Sequence, residues 1–126
     1  MSDGVIGGID HVSVLVSDTS RALEFYRDIL GLELDGGRPE LSYPGAFLNL
    51  GDGRQIHLIE LPNPDPITGR PAHGGRDRHT ALRVSHLDQL ISALEAAEIA
   101  FTLSSSGRRA LFCRDFDGNA FEFVER

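Results

Sequence analysis

Ile9-Asp10-His11-Val12-Ser13-Val14-Leu15-Val16-Ser17 sets a pattern that returns as Arg78-His79-Thr80-Ala81-Leu82-Arg83-Val84-Ser85, and an amphipathic helical stretch follows each copy. Later in each half an Asp-Gly turn leads into a further strand-like run. Asp52-Gly53 precedes Ile56-His57-Leu58-Ile59-Glu60, and Asp117-Gly118 precedes Phe121-Glu122-Phe123-Val124-Glu125. His79 follows His11 by 68 positions (79 minus 11) and Glu122 follows His57 by 65 (122 minus 57), so one small deletion aligns the halves. A duplicated fold has no packing reason to set His, His, His and Glu at equivalent points. A metal site between the halves supplies one.

The first stretch alternates: Val12, Val14 and Val16 share one phase and His11 and Ser13 the other, the pattern of a half-buried strand. Asp18 or Thr19 is placed to cap a helix with apolar positions Ala22, Leu23, Phe25, Tyr26, Ile29 and Leu30, and Gly31 is its stop. Short strands are expected at about 32–35, 45–50 and 54–61, separated by Gly, Pro and Asp-Gly turns. The order repeats with a strand at about 78–84, a helix at about 86–98 carrying Leu87, Leu90, Ile91, Leu94 and Ala97 on one stripe, and strands near 101–103, 109–114 and 119–125. The expectation is one α+β domain over 1–126, with a βαβββ module at about 9–61 and a second at about 77–125. The Pro- and Gly-rich stretch 62–76 between them is either a plain linker or a functional loop.

Composition narrows the function. A chain of 126 residues, 40% hydrophobic and 25% charged, is long enough for a sizeable core and ordinary for a globular protein. Its formal charge of −7 argues against a nucleic-acid partner. No apolar run approaches the roughly 18 residues a membrane span requires. The lone Cys113 permits no intrachain disulfide, and the N-terminal residues lack the basic and apolar regions of a signal peptide, so a cytoplasmic location is expected.

Strand phase puts the four repeat-equivalent residues on one side. His57 opposes Ile56 and Leu58, His79 opposes Leu82 and Val84, and Glu122 opposes Phe121 and Phe123, so all should project away from the helices. Three imidazoles and a carboxylate suit a divalent first-row ion. Arg83 shares the face of His79 and is a candidate clamp for an anionic substrate; Gln55 shares the face of His57. Phe47 and Tyr43 are candidates to line a pocket, and the pair Arg108-Arg109 is a further candidate for an anion, with Arg109 taken as the contact. Glu60 and Glu125 lie on the other phase and are expected to be solvated; His73 and His86 have no repeat partner and are expected at the surface. Cys113, with no neighbouring base, reads as a buried structural thiol.

Asp10-His11-Val12, Phe25-Tyr26, Leu30-Gly31-Leu32 and the closing Asp115-Phe116-Asp117-Gly118-Asn119 with Phe121-Glu122 resemble the vicinal oxygen chelate superfamily. That group includes glyoxalase I, bleomycin-resistance proteins, extradiol dioxygenases, fosfomycin-inactivating thiol transferases and methylmalonyl-CoA epimerase. Phe116 departs from the Pro usual there, and His57 stands where glyoxalases and epimerases more often have Glu or Gln. The resemblance implies a curved eight-stranded mixed sheet around a metal cavity. It implies His11, His57, His79 and Glu122 as ligands of one divalent ion (Ni, Co, Fe, Mn or Zn), and a small substrate that chelates through its oxygens. It further implies a homodimer that shares the site between chains, with Glu122 both ligand and proton-transfer base of a glyoxalase-like lyase or isomerase. An extradiol-type dioxygenase or a fosfomycin-type thiol transferase would use His11, His79 and Glu122 alone. A bleomycin-resistance-like binding protein would need none of the set.

Overall fold

The computed structural model describes residues 4–126. β1 (His11–Leu15) leads into α1 (Thr19–Leu23), which continues as a π-helical turn over Glu24–Ile29, and β2 (Glu33–Asp35), β3 (Gly45–Asn49) and β4 (Gln55–Ile59) complete the first module. After a 3₁₀ turn at Gly74–Arg76, β5 (His79–Val84), α2 (Leu87–Ala96), β6 (Phe101–Leu103), β7 (Ala110–Arg114) and β8 (Ala120–Glu125) repeat the order. Each module is a mixed four-stranded sheet, β1-β4-β3-β2 and β5-β8-β7-β6, whose first two strands run parallel. The register repeats as well. His11 faces Gln55 with His57 two residues on, and His79 faces Ala120 with Glu122 two residues on.

The expected single eight-stranded curved sheet around a cavity is not what forms. Among the described residues there are two four-stranded sheets, and no ladder joins β1 to β5. The modules meet instead through the helical layer and the turn before β8. Tyr26, fully buried, packs edge-on to Phe121 at 5.8 Å and donates from its hydroxyl to Asp115 Oδ2 at 2.5 Å. Phe25 meets Phe116 at 6.0 Å, and Asn119 Nδ2 donates to the Leu15 carbonyl at 3.0 Å. The π-helical turn adds a residue to the coil, and the adjacent Phe25 and Tyr26 are both at 0% exposure.

Local chemistry explains the helix starts. Asp18 accepts from Arg21 N as the N-cap of α1, as the sequence suggests. Glu60 and Glu125 are not simply solvated: Glu60 Oε1 accepts from Thr19 N at 2.7 Å and Glu125 Oε2 from Leu87 N at 2.9 Å. The strand that ends each module thus ties down the first turn of that module's helix.

The segment between the modules is folded onto the second one. Gly74 sits where a Cβ would lie 3.4 Å from both Ala120 and Phe112, and His73 Nδ1 bonds Thr102 Oγ1 at 2.6 Å while its ring meets Phe112 edge-on. Arg70 and Arg114 both grip Asp77, at 2.6 and 2.9 Å, and Arg78 pairs with Asp65. This roof buries the outward-facing Ala120 and Phe112, side chains that alternation alone would leave exposed.

Candidate metal and substrate site

On the outward face of the second module, Glu122 is 5% exposed. Its Oε2 accepts from Arg108 Nη2 at 2.7 Å, and its Oε1 lies 3.5 Å from His79 Nε2. His79 Nδ1 donates to the Asp77 carbonyl at 2.9 Å, which fixes the ring so that Nε2 is the nitrogen turned toward Glu122. Phe112, directly across from Glu122 in the ladder, meets the His79 ring edge-on at 5.2 Å. The two arginines on Asp77 hold its carboxyl well below the usual range, which keeps the backbone beneath His79 anchored.

The first module builds its pair differently. His57 is stacked between Phe47 at 3.5 Å and His11 at 3.9 Å. Gln55 donates through Nε2 to Asp35 and Asn49, so its Oε1 accepts from His57 Nε2 at 2.9 Å. Burial, and then the neighbouring His11, lower the His57 pKa and favour the neutral ring. His11 donates from Nδ1 to Asp10 Oδ2 at 2.7 Å, leaving its Nε2 free as His79 does. The imidazole in turn holds the Asp10 carboxyl below its ordinary value.

The four sequence-predicted ligands therefore form two pairs, His11 with His57 and His79 with Glu122. Among the described residues no three His, Cys, Asp or Glu side chains converge on one point. As donors the set fits a divalent ion in part. His11, His79 and Glu122 present unused nitrogens and a carboxylate, whereas His57 has its Nε2 occupied by Gln55. A groove of about 790 Å³ runs between the β1 edge, with Ile9, His11 and Val12, and the β5 edge, with Thr80 to Ser85.

Of the remaining candidates, Arg83 lies exposed on the His79 face and borders this groove. Gln55 serves His57 rather than open space, and Phe47 is its stacking partner. Arg109 is committed elsewhere: it bonds Glu125 at 3.2 Å and Asp88 at 3.0 Å, away from Glu122. Its neighbour Arg108 is the one at the site. Alternation carries that signal, since Arg108 shares the phase of Ala110 and Phe112 and Arg109 does not. Arg38, over the rings of Tyr43 and Phe47 at 5.7 Å each, had no sequence expectation attached. Burial pushes the Cys113 thiol up to about 12, which makes it an inert core residue.

Comparison with known proteins places this arrangement. The chain is 30% identical over 122 residues to lactoylglutathione lyase of Haemophilus influenzae, a match covering 91% of this chain and 90% of that one. It is 31% identical over 98 residues to mitochondrial methylmalonyl-CoA epimerase of Mus musculus, covering 75% of this chain and 55% of the epimerase, so it matches little more than half of that relative's length. In fold it is similar to the fosfomycin resistance protein FosX of Listeria monocytogenes complexed with Mn(II) and 1S,2S-dihydroxypropylphosphonic acid, with a TM-score of 0.74, 20% identity, and 96% and 93% of the two chains covered. Residues 8–123 match a single family model, and with the duplicated modules and their paired outward-facing residues this makes the chain a member of the Glyoxalase/Bleomycin resistance protein/Dioxygenase superfamily.

Proposed function

We propose that the protein is a metal-dependent lyase or isomerase of the glyoxalase type, acting on a small substrate that binds through neighbouring oxygens. The observation that carries this reading is the His79–Glu122 pair, a buried carboxylate 3.5 Å from an imidazole nitrogen whose other nitrogen is tied to a backbone carbonyl. His11, His79 and Glu122, with His57 as the fourth candidate, would hold a divalent transition ion, and the ion would supply Lewis-acid stabilisation of negative charge developing on the substrate oxygens. Glu122 Oε1, the oxygen not taken by Arg108, accepts the substrate proton and returns it. Arg108 fixes the carboxylate so that this oxygen stays directed at His79. Arg83 holds an anionic portion of the substrate on the open side of β5.

In this reading the working unit is a homodimer, because each chain holds the two pairs apart. His11 and His57 of one copy face His79 and Glu122 of the other. The unladdered β1 and β5 edges along the groove favour such pairing. A strictly monomeric protein with full metal uptake removes the shared-site version.

The test is Glu122→Gln, which keeps shape and an oxygen ligand but removes basicity. It should retain measurable metal and lose at least about 10²-fold in turnover of hemithioacetal or 2-acyl thioester substrates, the scale of a general base. Near-wild-type proton exchange by the metal-loaded variant refutes the base role. One observation favours a second reading: with His57 Nε2 engaged by Gln55, the remaining His11, His79 and Glu122 form a two-His, one-carboxylate set. That set suits an extradiol-type dioxygenase or a thiol transferase acting on fosfomycin. Oxygen uptake with a catechol, or thiol addition to fosfomycin, without substrate proton exchange, would identify it.

A further inference from the structure

The internal repeat reaches beyond the four metal-type residues. Phe47 stands directly opposite His57 across β3 and β4, as Phe112 stands opposite Glu122 across β7 and β8. Arg38 lies in the β2–β3 connection and Arg108 in the β6–β7 connection, 70 positions apart (108 minus 38) against 65 for the two phenylalanines (112 minus 47), so they share a connection and not a repeat position. Each module therefore carries a phenylalanine and a β-strand site residue at corresponding places, with an arginine in the connection that leads to the phenylalanine's strand.

The two arginines differ in what they meet. Arg108 has a carboxylate, Glu122, at 2.7 Å. The position corresponding to Glu122 in the first module is His57, and an imidazole carries no negative charge for Arg38 to pair with. Among the described residues Arg38 is left with one hydrogen bond, from Nη2 to the Tyr43 carbonyl at 2.9 Å, and its buried Nε has no acceptor. The rings of Tyr43 and Phe47 hold the guanidinium in place, 5.7 Å from each centroid. A guanidinium offers carboxylates and phosphates a planar fork of N–H donors, and a fork with unused donors beside an aromatic face is a built receptor for an oxyanion.

We propose that Arg38 seats an oxyanion of the substrate, a carboxylate or a phosphate-type group, which would serve this guanidinium as Glu122 serves Arg108 in the second module. The proposal rests on the reading of this outward face as the substrate side, and it names a chemical feature of the substrate. Nε is buried, so the anion takes that edge once the side chain rotates from its seat against the Tyr43 and Phe47 rings and gives up its hydrogen bond to the Tyr43 carbonyl. Arg83, on the second module, is then the competing seat.

Titration of the metal-free protein with methylphosphonate, followed by ³¹P NMR, separates the two arginines, and acetate added as a competitor tells a general oxyanion seat from a phosphonate-specific one. Wild type should show a saturable shift. Arg38→Ala should weaken binding about tenfold or more, as expected for loss of a charge-assisted bidentate contact, and by more than Arg83→Ala does. His57→Glu puts a carboxylate opposite Phe47, as Glu122 stands opposite Phe112. Its new carboxylate should take the guanidinium and abolish binding with Arg38 still present, while His57→Gln should leave binding intact. Should Arg38→Ala fail to fold, the His57 pair carries the test alone. Absence of a saturable shift in wild type, wild-type affinity in Arg38→Ala or His57→Glu, or loss of binding in Arg83→Ala alone overturns the proposal. Mn(II) uptake is measured separately without phosphonate. A protein that takes up no Mn(II) yet shows the Arg38-dependent shift keeps the anion seat and loses the metal-dependent reading.

Discussion

Replacing Tyr26 by Phe removes one oxygen and tests how the modules are joined. The Tyr26 hydroxyl donates to Asp115 Oδ2 at 2.5 Å, with Tyr26 0% and Asp115 6% exposed. Asp115 also accepts from Asp117 N, Asn119 N and Asn119 Nδ2, so the variant leaves the carboxylate short of one donor among four. A hydrogen bond to a charged buried group contributes about 1.5–3 kcal/mol, and because Oδ2 keeps Asn119 the expected loss is about 2 kcal/mol. That corresponds to a urea midpoint lower by about 1 M at unchanged slope. The sign of the pH dependence follows from Asp115. Burial raises its pKa, with the Tyr26 and Asn119 bonds opposing that rise. A raised carboxyl contributes stability that is fully present below its unfolded pKa and is lost as pH rises through the folded value. Without Tyr26 the folded pKa rises further, so the gap between variant and wild type should be widest near neutrality and close on acidification. Equal midpoints at neutral pH, or a gap that stays constant through the acid range, would refute the reasoning.

Glu60→Ala should cost about 1 kcal/mol by freeing Thr19 N, with metal uptake unchanged, as read by thermal melts and metal analysis. Glu125, whose pKa is lowered first by the Leu87 N–H and then by Arg109, stabilises above the unfolded carboxylate range, and the melting difference between Glu125→Gln and wild type should vanish as pH falls through its depressed value. Gly45→Ala would set a Cβ 2.2 Å from the Leu58 carbonyl oxygen, so β3 must move off β4, and a loss of about 3 kcal/mol in denaturant unfolding is expected. Cys113, buried with its thiol raised to about 12, should resist alkylation in the native protein and react once unfolded, as mass spectrometry would show.

Strand phase was readable because side chains alternate with a period of two. His11, His57, His79 and Glu122 fall on the outward side, as their spacing against Val12, Ile56, Leu82 and Phe121 implies. What alternation cannot carry is which edges pair. No local pattern in β1 or β5 distinguishes one sheet of eight strands from two of four, and the outcome depends on long-range contacts such as Tyr26 with Asp115 and Asn119 with Leu15. The capping roles of Glu60 and Glu125 escaped for the same reason, since their partners lie 41 and 38 residues away. The choice between Arg108 and Arg109 was within reach, because one shares the phase of Phe112 and the other does not. The seating of Gly74 against Phe112 and Ala120 needs three dimensions.

Duplication makes two copies of a module but only one connection between them. The segment from β4 to β5 can therefore shelter one copy alone, and it shelters β7 and β8. Identical ancestry thus ends in inequality: among the described residues the Phe47–His57–His11 stack is half-buried to exposed, while Phe112 and Glu122 are almost closed off. In the proposed reading the uncovered copy would be the one open to ligands, while Asp77 and its arginines brace the sheltered one. An asymmetry between an open half and a braced half follows from the number of connections in the chain, before any side chain is chosen for a task.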